Sequence, residues 1–276
     1  MSLPRLTQAR FPLVQTVQAV NECGELQTLS IPAERALTLY VDKRELVTLM
    51  TLGAYPEWMV LGYLLNQRLI ASANEVDSIT VDWEVGAAGV KTLRGIQDLS
   101  TKTASRVVTT GCGQGSAFGG WMDALSPQTL PPTTVTAGTL HAITDTIRQM
   151  DSVYKLAGSV HGCALFCGEQ LQLFVEDVGR HNAIDTIAGW MALQGRPFHA
   201  AVLYTTGRLT SEMVMKAATM GIAVVVSRSG MTHMGLSLAQ RLGLCAIGRA
   251  VHRRFLCFAG AHRLVLAQGA GSVVAA

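Results

Sequence analysis

The chain has 276 residues, 49% of them hydrophobic and 15% charged, with a formal net charge of +3. This length builds one large domain or two ordinary ones, and the composition excludes a disordered chain. The small charge forces no general polyanion-binding surface, though it leaves room for a local basic patch, and no nucleic-acid partner is expected.

The first ten residues carry Pro4, Arg5 and Arg10 but no apolar core of signal-peptide length. No run is long and apolar enough to span a bilayer. The expectation is a soluble, cytoplasmic protein with no membrane partner. The six cysteines are Cys23, Cys112, Cys163, Cys167, Cys245 and Cys257. In that setting they imply no disulfide framework, and most are expected to pack as small apolar groups.

In chain order, residues 36–41 and 76–85 read as strands, with Trp83 inside the second. Between them, residues 56–65 read as a core helix opened by Pro56, which loses no needed donor at a first helical position. Residues 107–120 hold glycines at 111, 113, 115, 119 and 120, too many for a helix and too flexible for a regular strand. Residues 126–138 are rich in Pro and Thr and read as a domain junction. A helix is expected over 140–156, then strands at 160–166 and 171–175 with a turn at Gly168-Glu169. Helix 181–193, strand 200–204, helix 211–220, strand 222–227, helix 234–242 and strand 244–247 follow. The alternation predicts an α/β layered domain over 131–276, preceded by a smaller strand-rich α+β domain over 1–130 that ends in the glycine-rich loop.

Four groups of residues could carry chemistry. Cys112 sits in Thr110-Gly111-Cys112-Gly113-Gln114-Gly115, where flanking glycines expose the sulfur and offer backbone N–H groups to a thiolate. A plain flexible turn explains the same spacing about as well. Glu176 to Asp185 crowds two carboxylates with Arg180, His181 and Asn182 into a strand-to-helix turn, a common place for ligand contacts in α/β proteins. Capping by Asp177 or Asn182 is the ordinary alternative. Arg208, in the turn between Thr205 and Glu212, suits phosphate better than capping, for which Thr210 or Ser211 serves. Ser227, Arg228 and Ser229 repeat that location, and the three polar turns, that of Glu176–Asp185 included, should converge on one side of a parallel sheet. Finally Arg249, Ala250, Val251, His252, Arg253 and Arg254 form a local positive patch, either a solvated loop or a pyrophosphate contact. No structural metal is expected: the His-x-Glu and Pro-Cys-x-x-Cys elements of zinc deaminases are absent. Walker A and Gly-x-Ser-x-Gly signatures are absent as well.

Together these segments resemble the formate dehydrogenase accessory sulfurtransferase family, FdhD. The resemblance rests on Glu176-Asp177-Val178-Gly179-Arg180-His181-Asn182-Ala183, on the stretch from Gly207-Arg208 to Lys216, and on Ser227-Arg228-Ser229 with Thr232. It also takes in Ala157-Gly158-Ser159-Val160-His161 and the 56–65 helix. It implies a C-terminal domain of cytidine-deaminase-like fold without the zinc site. It further implies a sulfurtransferase that takes sulfur from a cysteine desulfurase onto a cysteine persulfide, at the position of Cys112. The acceptor would be the molybdenum or tungsten bis(molybdopterin guanine dinucleotide), bound as substrate by residues matching Arg249 to Arg254 and destined for formate dehydrogenase. A homodimer is implied too.

The chain departs from the family pattern at several points. Gly115 stands where many members have a second loop cysteine, Gly230-Met231 replaces Ala-Pro, Thr186 replaces lysine and Ala157 replaces threonine. A persulfide needs one cysteine, so a relay through Cys112 survives the loss at 115. Two rivals remain at this point: a non-catalytic chaperone for the same cofactor, and a nucleotide-modifying hydrolase on the deaminase-like fold, against which the missing zinc motif weighs.

Overall fold

A computed structural model of the chain describes residues 3–96, 107–108, 115–116 and 130–266. Two compact units emerge, each assembled from separated stretches of sequence. One contains Met1–Pro127, Asp151–Cys163 and Phe174–Arg196; the other contains Gln128–Met150, Ala164–Leu173 and Pro197–Ala276.

The first unit carries a five-stranded mixed sheet. Its members are β1 (Arg5–Leu6), β4 (Arg35–Val41), β5 (Arg44–Thr51), β6 (Val76–Asp82) and β7 (Ala87–Thr92), in the order β1-β6-β7-β4-β5. β2 (Val14–Val20) and β3 (Leu26–Pro32) make a separate antiparallel ribbon. In β4 the alternation is clean: Leu37, Leu39 and Val41 are fully buried while their neighbours are not, as a sheet with one covered face requires.

The covering element is α1 (Pro56–Asn66), opened by Pro56 as the sequence predicts. Met59, Val60, Leu61 and Leu64 of α1 join Leu37, Leu39, Leu49 and Ile79 of the sheet in one core. Its remaining face meets α4 (Arg180–Leu193). A helix buried on all sides cannot show a narrow apolar stripe, which is why α1 reads as almost continuously apolar. Buried Glu57 accepts hydrogen bonds from the Thr7 hydroxyl at 2.6 Å and the Ala9 amide at 2.7 Å, tying the N-terminal segment to the start of α1.

The α1–α4 crossing depends on two glycines. A methyl group on Gly62 would overlap the carbonyl oxygen of Asp185, and one on Gly189 would overlap that of Trp58. Beside this contact Asn66 Nδ2 donates to Asp185 Oδ1 at 2.7 Å, both residues being buried.

The expected helix over 140–156 is instead two helices, α2 (Ala137–Gln149) and α3 (Val153–Ala157). The break has a local cause. Met150 is extended, and the Ser152 side chain accepts from the Lys155 amide to begin a new helix. Glu176 reinforces that start by accepting from the Val153 amide at 2.6 Å and the Tyr154 amide at 3.1 Å.

A six-stranded sheet runs β12-β11-β13-β14-β15-β16. Its strands are β11 (His161–Cys167), β12 (Gln170–Asp177), β13 (Ala201–Thr205), β14 (Val224–Ser227), β15 (Cys245–Val251) and β16 (Arg254–Ala259). β13, β14 and β15 are parallel and joined through α5 (Ser211–Thr219) and α6 (His233–Leu242). This is the β-α-β-α-β run expected from the alternating pattern. β16 returns antiparallel to β15. Two short pairs complete the description: β10 (Val135–Thr136) with β17 (Leu264–Val265), and β8 (Val107–Val108) with β9 (Gly115–Ser116). The mixed α/β class is therefore as expected. Among the described residues no helix is long and apolar enough to cross a membrane.

Candidate functional site

In the second unit, the chain leaves three neighbouring parallel strands at the same edge of the sheet. There the loops lock together. Ser227, at the end of β14 and fully buried, donates its hydroxyl to the Gly207 carbonyl at 2.6 Å and accepts from the Ser229 amide at 2.9 Å. The Arg228 amide donates to Thr205 O at 3.0 Å, and the Arg249 amide to Ser229 O at 2.7 Å. Leu209 and Met231 form a further parallel bridge. Gly248 permits the last approach, because a Cβ there would lie 2.8 Å from the Phe258 ring and 3.1 Å from Ser229 O. The turns after β13 and β14 thus meet β15, as parallel topology predicts for strand ends.

Each of the three carries one exposed arginine: Arg208 after β13, Arg228 after β14 and Arg249 within β15. Among the described residues none of the three guanidiniums is engaged in an ion pair. Arg249 adopts a positive φ of 53°, a conformation that costs a non-glycine residue of order 1 kcal/mol and persists only where its surroundings impose it. The segments that carry these three guanidiniums are hydrogen-bonded to one another, and a guanidinium is suited to an oxyanion through charge-assisted hydrogen bonds.

The rest of the Arg249–Arg254 stretch divides. Ala250 is buried, so its side chain serves the core. Val251 ends β15, and His252, with a φ of 54°, lies in the hairpin turn, where its carbonyl accepts from Thr144 Oγ1 at 3.3 Å. Arg253 pairs with Asp145 of α2 at 3.5 Å, and exposed Arg254 opens β16.

The Glu176–Asp185 turn belongs to the first unit, and its polar groups brace it from within. Asp177, nearly fully buried, accepts four hydrogen bonds: from Thr51 Oγ1 (2.6 Å), the Leu52 amide (3.0 Å), the Gly179 amide (2.9 Å) and Asn182 Nδ2 (2.8 Å). Asn182 Nδ2 also donates to Met50 O at 2.7 Å. Neither residue caps α4, whose N-cap is Gly179 without a side-chain bond. Burial is the dominant influence on the Asp177 carboxyl and pushes it above the usual aspartate range, against the opposing pull of those four donors. Arg180 and His181 are likewise buried at the start of α4. Thr186, where the family pattern has lysine, bonds back to Asn182 O at 2.8 Å inside the helix.

Glu176 is also held above the ordinary glutamate range, first by burial and in spite of the two α3 amides. A carboxyl raised in the folded state binds its proton more tightly there than in the unfolded chain. The stability it contributes is therefore present below the ordinary value and lost as pH rises toward the folded one. We expect the urea midpoint to fall as pH rises above the ordinary glutamate range, and Glu176→Gln to flatten that part of the profile.

One pair was not singled out from the sequence. Glu212 and Lys216 of α5 lie 3.7 Å apart with side chains only 5% and 2% exposed. Their i, i+4 spacing was the available signal, but on a surface helix the same spacing is commonplace, and only burial distinguishes it. Thr210 caps α5, accepting from the Met213 amide, one of the two capping choices expected. Cys112 lies outside the described residues; β8 and β9, on either side of it in sequence, pair antiparallel with Val108 opposite Gly115. Cys163 and Cys245 are fully buried as expected, whereas Cys167 and Cys257 are partly exposed. Among the described residues no three His, Cys, Asp or Glu side chains gather into a metal-binding group.

Fold and strand-end chemistry together define a mixed α/β protein with a cationic edge on a parallel βαβαβ core. A model of the FdhD/NarQ family matches residues 32–265, and the chain belongs to that family. It is 28% identical over 242 residues to the sulfur carrier protein FdhD of Bacillus pumilus, covering 86% of this chain and 92% of the relative. It is 30% identical over 236 residues to the protein of the same name from Bacillus licheniformis, covering 84% and 89%. Among solved structures, that of a proposed formate dehydrogenase accessory protein from Desulfotalea psychrophila superposes with a TM-score of 0.74 at 26% identity, over 92% of this chain and all of that one.

Proposed function

We propose that the protein is a sulfurtransferase that relays sulfur from a cysteine desulfurase to a molybdenum bis(molybdopterin guanine dinucleotide) needed by formate dehydrogenase. The Cys112 thiolate attacks the terminal sulfur of the donor's persulfide. The donor's S–S bond breaks, the donor leaves as thiolate, and Cys112 holds the transferred sulfur as its own persulfide. The bis-guanylyl-pterin is the substrate that accepts this sulfur, and its pyrophosphates are held at the strand-end edge. The observation that supports this reading is the set of exposed arginines Arg208 and Arg228, on two interlocked turns, and Arg249, on the strand they meet, in a chain whose relatives are named sulfur carriers. Ser227 and Ser229 shape the turns, and the buried Asp177–Asn182 network fixes the residues around Arg180 and His181. Cysteine desulfurase and formate dehydrogenase are the protein partners in this scheme, with the chain acting as a homodimer in the cytoplasm.

Intact-protein mass spectrometry after incubation with a cysteine desulfurase and cysteine tests the first step. The wild-type chain should gain the mass of one sulfur atom, reversibly by a thiol reductant, and Cys112→Ser should gain none. An unmodified wild type, or an adduct retained by Cys112→Ser, rejects the relay. If Cys112→Ser still activates formate dehydrogenase, the protein is a binding chaperone for the cofactor instead. Replacing Arg208, Arg228 or Arg249 by Gln should weaken cofactor binding about tenfold each, with sulfur loading of Cys112 unchanged.

A further inference from the structure

The β15–β16 hairpin contains two cysteines that the sulfur relay does not use. Ile247 and Cys257 are directly opposed across the antiparallel pair. Cys245, two residues before Ile247, therefore points to the same face as Cys257. The register shift between Ala246 and Ile247 places a bulge between the two cysteines. Close approach is also visible in the backbone, where Gly260 lies so near Cys245 that a Cβ on it would stand 2.7 Å from the Cys245 Cα.

The two thiols differ in access and in charge preference. Cys245 is fully buried, whereas Cys257 is partly exposed. The neighbouring Cys245 thiol lowers the Cys257 thiol to about 7, while Cys257 and burial raise that of Cys245. When protonated, Cys257 instead donates to the Ala259 carbonyl at 3.2 Å. Arg263, held by the Gly243 carbonyl at 2.9 Å and the Pro131 carbonyl at 2.6 Å, adds positive charge beside Cys245. A partly exposed thiolate beside a buried thiol on the same face of a hairpin is the arrangement of an attacking and a resolving cysteine.

We propose that Cys257 and Cys245 form a second thiol site, which is oxidised by a peroxide and closes into a disulfide across the β15–β16 hairpin. The Cys257 thiolate attacks one peroxide oxygen, the O–O bond breaks, and hydroxide leaves to become water. Cys257 is then a sulfenic acid. The Cys245 sulfur attacks the Cys257 sulfur, the S–O bond breaks, and the departing oxygen takes the Cys245 proton and leaves as water. Two thiols are oxidised by two electrons and one peroxide is reduced to two waters. The pair lies at the open end of the hairpin, away from the turn bearing His252 and Arg253.

The test uses the full-length chain carrying Cys112→Ser, so that the relay cysteine cannot contribute. After hydrogen peroxide at neutral pH and alkylation of remaining thiols, peptide mass spectrometry should find Cys245 joined to Cys257, and a thiol reductant should restore both. Adding Cys245→Ala should leave Cys257 as a sulfenic acid captured by dimedone. The proposal fails if Cys257 is alkylated fully after a peroxide dose that oxidises the exposed Cys23. It also fails if Cys257 joins Cys23 or Cys167 in place of Cys245. Because the first measurement needs no change in the pair, a poorly folding Cys245→Ala chain would not obscure the outcome.

Discussion

Gly62→Ala is expected to destabilise the protein by about 3 kcal/mol or more, at or beyond the upper end of typical overpacking costs. The added methyl would meet peptide atoms and not a flexible side chain: besides the Asp185 oxygen, the Asp185 carbonyl carbon lies at 2.6 Å and the Gly189 amide nitrogen at 2.7 Å. Two helices would have to separate, and the core shared by α1 and the five-stranded sheet would separate with them. Gly189→Ala should cost a similar amount, since its methyl would meet the Trp58 carbonyl carbon at 2.8 Å and the Gly62 nitrogen at 2.9 Å. Once either variant has pushed the helices apart, the second adds less, so the double variant should be less than additive. Gly230→Ala supplies the control, because nothing lies within 4 Å of the added carbon. Urea unfolding of the four chains measures this; a Gly62→Ala midpoint equal to that of Gly230→Ala would contradict the close-packed crossing.

Asp177→Ala should cost about 3–5 kcal/mol, for a different reason. Removing the carboxylate strands the Thr51 hydroxyl, the Leu52 and Gly179 amides and one Asn182 hydrogen, all buried and no longer accepted. A buried donor without an acceptor costs its full desolvation, and several are lost at once. Asp177→Asn should fall between, keeping one acceptor oxygen but turning an NH2 group toward other donors. Thr51→Val, which removes one of the four donors and strands only the Gly53 amide, should cost less than Asp177→Ala. If Asp177→Ala proved no worse than Thr51→Val, the carboxylate would not be the centre of this brace.

These two variants mark the border between what could and could not be read without coordinates. Helices α1, α5 and α6 and the parallel strands β13–β15 were legible because each has a local signal. Pro56 opens α1, Thr210 caps α5, and Gly243 closes α6 in the left-handed conformation. The β2–β3 ribbon was not legible, since its residues are mostly exposed and carry no alternating apolar face. The helix expected over 140–156 was overextended because apolar spacing continues past Met150, while the cap at Ser152 and the carboxylate of Glu176 decide the break.

The polar turns show the same division. Sequence pattern placed Arg208 and Arg228 after strands, because alternation of strands and helices is a local property that parallel pairing converts into one edge; Arg249, read as part of a loop or pyrophosphate contact, lies within β15. It could not tell Asp177 and Asn182, which hold Met50, Thr51 and Leu52 from more than a hundred residues away, from groups awaiting a ligand. Nor could it separate Cys257 from Cys163, since both sit among apolar neighbours and only strand register and exposure distinguish them. By itself, then, the sequence determined the α/β class and the strand ends after which Arg208 and Arg228 stand. Tertiary structure alone decided which polar groups are spent on bracing, which glycines bear a helix crossing and which cysteines meet. Those outcomes depend on contacts between residues far apart in the chain, and no local periodicity encodes them.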